Sequence, residues 1–226
     1  MARRKNLKRR RIILNNTFSL IRTNGMDNVS FQLVAEKSGI SKSLLQSYYS
    51  HKSKLIDDVV RNILNTLDQQ VSKFSNSNAG ICARTKAFIY IIAMLGIYDQ
   101  GLERIILEVF SSTKTLDTWS KMLNSWIKEV QLFDDTPFDM VQVESGIAFV
   151  VTGVGFLYRN REKYNLSAEQ LADYATSSFM YSFLNYNSKQ IKQELQAGHE
   201  IIAAADIEVI HDAINTMFDD DKEIVC

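Results

Sequence analysis

One proline and nine glycines punctuate a chain of 226 residues, so almost nothing in it interrupts a helix. In a helix interior proline costs about 3 kcal/mol and glycine about 1 kcal/mol relative to alanine. The one proline, Pro137, follows Thr136 and suits the first helical position, where no backbone N–H is needed. Apolar residues make up 46% of the chain, enough for a sizeable core and too many for a disordered polymer. An all-α protein follows.

Apolar periodicity and turn residues divide the chain into helices. The first runs over 7–23, with Leu14, Phe18 and Ile21 on one face, and Asn24-Gly25 closes it in a left-handed cap. Ser30 caps a short helix to 38, Gly39 breaks it, and Ser41 caps a second short helix to 48. Two short helices about a glycine turn make a helix-turn-helix unit. A longer helix spans 52–74, and the polar stretch 75–80 reads as a linker. Further helices are predicted at 81–98, 101–113, 115–133, 137–162, 167–186, 188–197 and 200–218, ahead of an acidic, frayed tail. Ser167 with Gln170 forms a capping box, and Ser188 with Ile191 only a partial one. The expected domains are a head at 1–54, with a basic arm, and a body at 55–226, joined by helix 52–74.

Zero net charge conceals a division. Residues 1–54 hold twelve Lys and Arg against Asp27 and Glu36, a net of +10, and the remainder carries −10. Seven of the cations lie between Arg3 and Arg11. A basic head on an acidic body suits a polyanion at the head and repulsion of the body from it, although a basic tail can also serve solubility alone. The basic N-terminus is not followed by the apolar run of a secretory signal. The longest apolar runs, 88–97 and 147–157, are about half a membrane span and read as buried helices. Cys82 and Cys226 give no disulfide framework, so a reduced, cytoplasmic setting without membrane attachment is the default.

The stretch 28–55 carries the most information. Ser30, Val34-Ala35, Ser38-Gly39-Ile40-Ser41, Leu45, Tyr48-Tyr49, Lys52 and Leu55 stand without a gap in the register of one DNA-binding signature. In these residues the chain resembles the TetR family of transcriptional regulators, over about a fifth of its length with helix 1 included. Helical spacing puts Lys42 and Gln46 on one face of the second short helix, with Ser41, Ser43 and Ser47 beside them. Lysine can read guanine edges and glutamine adenine, or both can meet only phosphate and solvent. By the resemblance, Tyr48 and Lys52 are phosphate clamps. Lys52 and Ser30 also open helices, where free N–H groups favour an anion. Tyr49 takes the family's phenylalanine position and is expected in the core. Gln46 and Ser47 depart from the usual residues, Leu44 either touches a thymine methyl or packs, and His51 replaces a serine or asparagine cap. The basic arm reaches the minor groove or merely screens charge.

The resemblance further implies a homodimer joined by the last large helices. Gly146, Val150, Gly153 and Leu157 follow helical spacing, as do Leu171, Ala175, Ser178 and Ser182. These small-residue faces suit a partner's helices, or each other within one subunit. Phe88, Tyr90, Met94, Phe110, Trp119, Met122 and Trp126 are candidates to line a cavity for an apolar or amphipathic small molecule, though such a stripe also builds ordinary core. His199 and His211, twelve residues apart, and Cys226 form no metal spacing. No phosphate loop, dinucleotide fingerprint or nucleophile elbow occurs, so neither a cofactor nor enzymatic activity is expected. Two function classes remain: a ligand-responsive repressor on a pseudo-palindromic operator, and a ligand-independent architectural or partner-regulated DNA-binding protein. A body without a cavity would favour the second.

Overall fold

A computed structural model describes residues 6–75, 79–111, 113–129 and 138–219. Arg3, Arg4 and Lys5 of the arm, part of the 75–80 linker, the Thr136-Pro137 start signal and Cys226 with its acidic tail lie outside the described residues. The described elements are helices: α1 (Leu7–Asn24), α2 (Phe31–Lys37), α3 (Lys42–Tyr48), α4 (Lys52–Phe74), α5 (Ile81–Tyr98), α6 (Gln100–Val109), α7 (Thr113–Glu129), α8 (Met140–Arg159), α9 (Ala168–Phe183), α10 (Ser188–Ala204) and α11 (Ile207–Asn215).

The head closes around α1. Its buried face, Ile13, Leu14, Phe18 and Ile21, meets Val34 and Ala35 of α2, Leu45 of α3 and Tyr49 beyond it. Ser30 and Ser41 cap α2 and α3 through the N–H groups of Leu33 and Leu44. Between them Gly39 has φ +64°, a conformation that a side chain strains, so the turn requires glycine. At the end of α1, Gly25 has φ +84° and ψ 159°, another glycine region and not the left-handed cap that the sequence suggests.

The head's core does not stop at the head. Leu55 and Val59 of α4, Ile91 and Leu95 of α5, Leu102 of α6 and Ile210, Ile214 and Phe218 at the C-terminal end belong to the same buried cluster. Helix α5 is central, packed by α4, α6, α9 and α10. Its Lys86 is buried, and the ammonium is met by Glu169 (3.1 Å), Asp173 (2.8 Å) and the Leu195 carbonyl (3.0 Å). Both α5 and α8 are long and apolar enough to cross a membrane by length and composition alone, although their uninterrupted apolar runs, 88–97 and 147–157, are about half a span. In α5 that apolarity is explained by its central place.

Two sequence boundaries are corrected. Helix α10 does not stop at 197 but continues through Gly198, which is buried where α10 crosses α5. A Cβ on Gly198 would lie 2.7 Å from the Lys86 Cδ and 3.0 Å from the Ala83 carbonyl oxygen, so this glycine permits close approach and does not break the helix. The turn falls instead at Ala205-Asp206, and Asp206 caps α11 through the N–H groups of Glu208 and Val209. The α10 cap is Asn187, in a full capping box with Gln190, one residue before the predicted Ser188. The Ser167–Gln170 box is present as predicted.

Replacing Gly198 by leucine forces α10 away from α5 and should lower stability by about 1–3 kcal/mol. A shift of the urea midpoint at unchanged slope checks this, and an unshifted midpoint contradicts the close-approach account.

Candidate functional site

Burial of Leu45 and Tyr49 against the head's core turns the other side of α3 outward. Lys42, Ser43, Gln46 and Ser47 are exposed there, and Leu44 is half-buried at the edge. The Ser41 hydroxyl accepts the Leu44 N–H at 3.2 Å and lies 3.1 Å from the Ser43 hydroxyl, while the Ser47 hydroxyl donates to the Leu44 carbonyl at 2.7 Å. Lys42 and Gln46, one turn apart, therefore stand on a face built of short side chains. Ser30 is exposed at the α2 start. The Tyr48 hydroxyl accepts the Asn6 N–H at 3.3 Å, and the Lys52 ammonium donates to the Asp27 carbonyl at 3.0 Å. These bonds hold the arm's root and the loop before α2 beside the start of α4. Helix α4 begins at Lys52 although His51 makes no side-chain cap bond.

Arg10 does not belong with the polyanion-facing charges, because its side chain is only 13% exposed. It pairs with Asp58 of α4 at 2.6 Å and donates to the Tyr49 hydroxyl at 3.0 Å. Burial pushes the Tyr49 hydroxyl well above its ordinary range, so it remains a neutral acceptor. The three side chains tie α1, the end of α3 and α4 together. Nothing local in the sequence signals this group, because Arg10 lies 39 residues before Tyr49 and 48 before Asp58.

A second junction lies at the other end of α1. The Arg22 guanidinium bonds the Asp99 carboxylate and, at 2.6 Å, Asn215 of α11. His211 Nε2 lies 2.9 Å from the same carboxylate. Glu108 of α6 accepts the Met26 N–H at 2.6 Å, and the Arg104 guanidinium donates to the Arg22 and Thr23 carbonyls. Burial opposes the Asp99 charge, but bonds from His211, the Leu102 N–H and Arg22 outweigh it and hold the carboxyl below its ordinary value. His199 stands elsewhere, 2.7 Å from Glu169, and no cluster among the described residues could hold a metal ion.

Within the body a cavity of about 280 Å³ lies between α4, α5, α6, α7, α8 and α9. Phe88, Phe110, Trp119, Met122 and Trp126 line it, whereas Tyr90 and Met94 do not. Those two pack instead with Tyr158 and Leu171. Phe88 and Trp126 stack at 5.7 Å, and the Trp126 indole donates to Asn65 at 2.6 Å. Periodicity missed the aliphatic walls, Val60, Ile63 and Leu64 of α4 and Ile105 and Ile106 of α6, because residues of that kind read only as core.

The small-residue faces are placed one register away from the surface. Gly146, Leu171 and Ala175 are buried inside the chain, and Val150 and Leu157 are half-buried in its cores. A Cβ on Gly146 would meet the Phe179 ring at 2.4 Å, so this glycine serves packing of α8 on α9 in one subunit. Only Gly153 and Ser182 are exposed, with Ser178 half-buried. The outward stripe of α8 carries Val141, Phe149 (54% exposed) and Phe156, and that of α9 carries Tyr174 and Tyr181 (68% exposed).

Residues 13–59 match the family model described as bacterial regulatory proteins, tetR family. A search of the curated proteins finds no match to the chain. Among solved structures, a tetR-family regulator from Streptomyces coelicolor A3 aligns with TM-score 0.53 and 15% identity, over 80% of this chain and 98% of that one. RolR, solved without ligand, aligns with TM-score 0.53 and 9% identity, over 83% of this chain and 95% of its own. At such identity they show a common fold.

Asp99→Asn keeps a capping oxygen at α6 but removes the charge shared by Arg22 and His211. Because the folded carboxyl is held below its ordinary value, its contribution is full above about pH 4 and is lost as pH falls through the folded value. The stability deficit of Asp99→Asn in urea should therefore be larger at neutral pH than in acid, and a deficit independent of pH contradicts the assignment.

Proposed function

We propose that this chain, whose residues 13–59 match the model of the tetR family of bacterial regulatory proteins, is a homodimeric DNA-binding repressor released from its operator by a small apolar molecule. One observation carries the reading: the helices that wall the cavity also hold the head. Helix α4 lines the cavity with Val60, Ile63, Leu64 and Leu67 and holds Arg10 through Asp58. Helix α6 lines it with Ile105, Ile106 and Val109 and holds the end of α1 through Arg104 and Glu108. A molecule that prefers one separation of α4 and α6 over another shifts the head, and the shift is bounded by its difference in affinity for the two states. The ligand-independent alternative expected a body with no cavity.

On DNA, Lys42 and Gln46 face base edges in the major groove. Ser43 and Ser47 let the helix sit deep, and Ser30, Tyr48 and Lys52 hold phosphates. The outward face of α8 and α9 supplies the dimer contact. Large exposed apolar side chains at one patch are unusual on a monomer, and Gly153, with nothing near its missing Cβ, lets a partner helix approach between Phe149 and Phe156. A two-fold interface of this kind would set two α3 helices about 34–36 Å apart, one turn of DNA, on a pseudo-palindrome.

Native mass spectrometry of the protein on library-selected duplex should show two chains per site. A persistent monomer on DNA sinks the two-half-site reading. Phe149→Asp with Phe156→Asp should yield monomers in sedimentation and lower operator affinity. Lys42→Ala and Gln46→Ala should each relax preference at one base position by about 1–3 kcal/mol. Lys52→Gln should instead weaken all sequences alike and reduce the salt slope by roughly 0.9. Binding titrations at several salt concentrations separate the two effects.

A further inference from the structure

Two hydroxyls in the cavity wall have no hydrogen-bond partner among the described residues. Thr176 of α9 is 1% exposed and Tyr158 of α8 is 2% exposed, and both residues line the cavity. Neither the Thr176 Oγ1 nor the Tyr158 hydroxyl is bonded. Helical threonines elsewhere in this chain return the hydroxyl to the carbonyl one turn back, as Thr17 does to Ile13, Thr66 to Asn62 and Thr85 to Ile81. Thr176 makes no such bond. The Tyr158 hydroxyl is lodged where a Cβ on Gly96 would meet it at 2.1 Å, next to Ile106 of the cavity wall. Burial pushes it up to about 12, which leaves it a neutral donor.

The rest of the wall offers little that is polar and no charge to spare. Its two ionised residues, Asp68 and Arg84, pair with each other at 3.1 Å, and Arg84 also donates to Ser72. The Arg84 Nε is likewise unbonded, but that side chain is 30% exposed and its charge is already met. A buried carboxylate or ammonium would find no free countercharge here, whereas a buried hydroxyl without a partner is costly until something bonds it. An apolar cavity of about 150 Å³ takes one benzene ring. The 280 Å³ found here therefore suits a body of roughly two rings.

Resting on the reading of this cavity as the effector site, we propose that the effector is a neutral, largely hydrocarbon molecule of two-ring size whose one or two oxygens are bonded by the Thr176 and Tyr158 hydroxyls. The apolar walls supply most of the affinity, and the hydroxyls supply orientation and choice.

Three probes of one size separate the possibilities: naphthalene, 2-naphthol and 2-naphthoate, each titrated calorimetrically with the intact protein. 2-Naphthol should bind roughly tenfold more tightly than naphthalene, the worth of one well-made hydrogen bond, and naphthoate more weakly than 2-naphthol. Thr176→Val with Tyr158→Phe should erase the advantage of 2-naphthol while leaving naphthalene binding in place. Thr176→Val alone, without ligand, should be no less stable than the unaltered protein, and marked destabilisation would reveal a structural role and overturn the assignment. Equal binding of naphthalene and 2-naphthol overturns the polar anchoring but leaves the cavity as effector site. Tightest binding by naphthoate overturns the neutral class. Failure of all three to bind overturns the cavity reading itself, and this proposal with it.

Discussion

Helix α4 is one rigid rod committed at both ends, and the remaining architecture depends on it. Its backbone ladder runs unbroken for 23 residues, roughly 35 Å at the helical rise. Leu55, Val59, Leu67 and Val71 belong to the core shared with the head, while Val60 and Leu64 belong to the core around Trp126 and Val143. A close-packed rod cannot bend smoothly to accommodate a change at one end. The same rod therefore joins the cavity wall, at Val60, Ile63 and Leu64, to Asp58 and the root of the head.

The two junctions between head and body differ in chemistry. At α4 the Arg10–Tyr49–Asp58 group sits over apolar packing, with Arg10 nearly covered. At α6 Leu102 and Ile105 enter the same shared core, and beside them Arg104, Glu108, Arg22 and Asp99 make a set of charged and backbone hydrogen bonds, in which Arg104 is open to water. Bonds of the second kind exchange with solvent at small net cost. Helix α11 bears on both, since Ile210 and Ile214 enter the shared core while His211 and Asn215 meet Asp99 and Arg22.

Charge bookkeeping by segment overstates what faces DNA. Arg10 and Arg22 count toward the head's excess, yet both are engaged inside the molecule. The buried Lys86 shows the same principle in the body, where one cation is surrounded by Glu169, Asp173 and a carbonyl at the seam of α5, α9 and α10. A cation taken out of water needs partners of its own, so burial removes it from the outward field.

What the sequence determined by itself was local. Scarce breakers imposed helices, Ser30, Gly39 and Ser41 placed the helix-turn-helix, and the Ser167–Gln170 box placed the start of α9, because each of these acts within a turn or two of its own position. Tertiary structure alone decided what a glycine or an apolar face was for. The predicted break at 198–199 disappears once Gly198 is seen packed against Ala83 and Lys86 within a continuous α10. Whether Gly146 serves a partner or its own subunit is open in the sequence until Phe179 is found against it, and Phe149 and Phe156 are found outside. The cavity's aliphatic walls and its two unbonded hydroxyls are equally invisible along the chain, since they exist only where helices from distant segments come together. Local signals fix what a residue can do with its neighbours in sequence, and only packing fixes which neighbours in space it has.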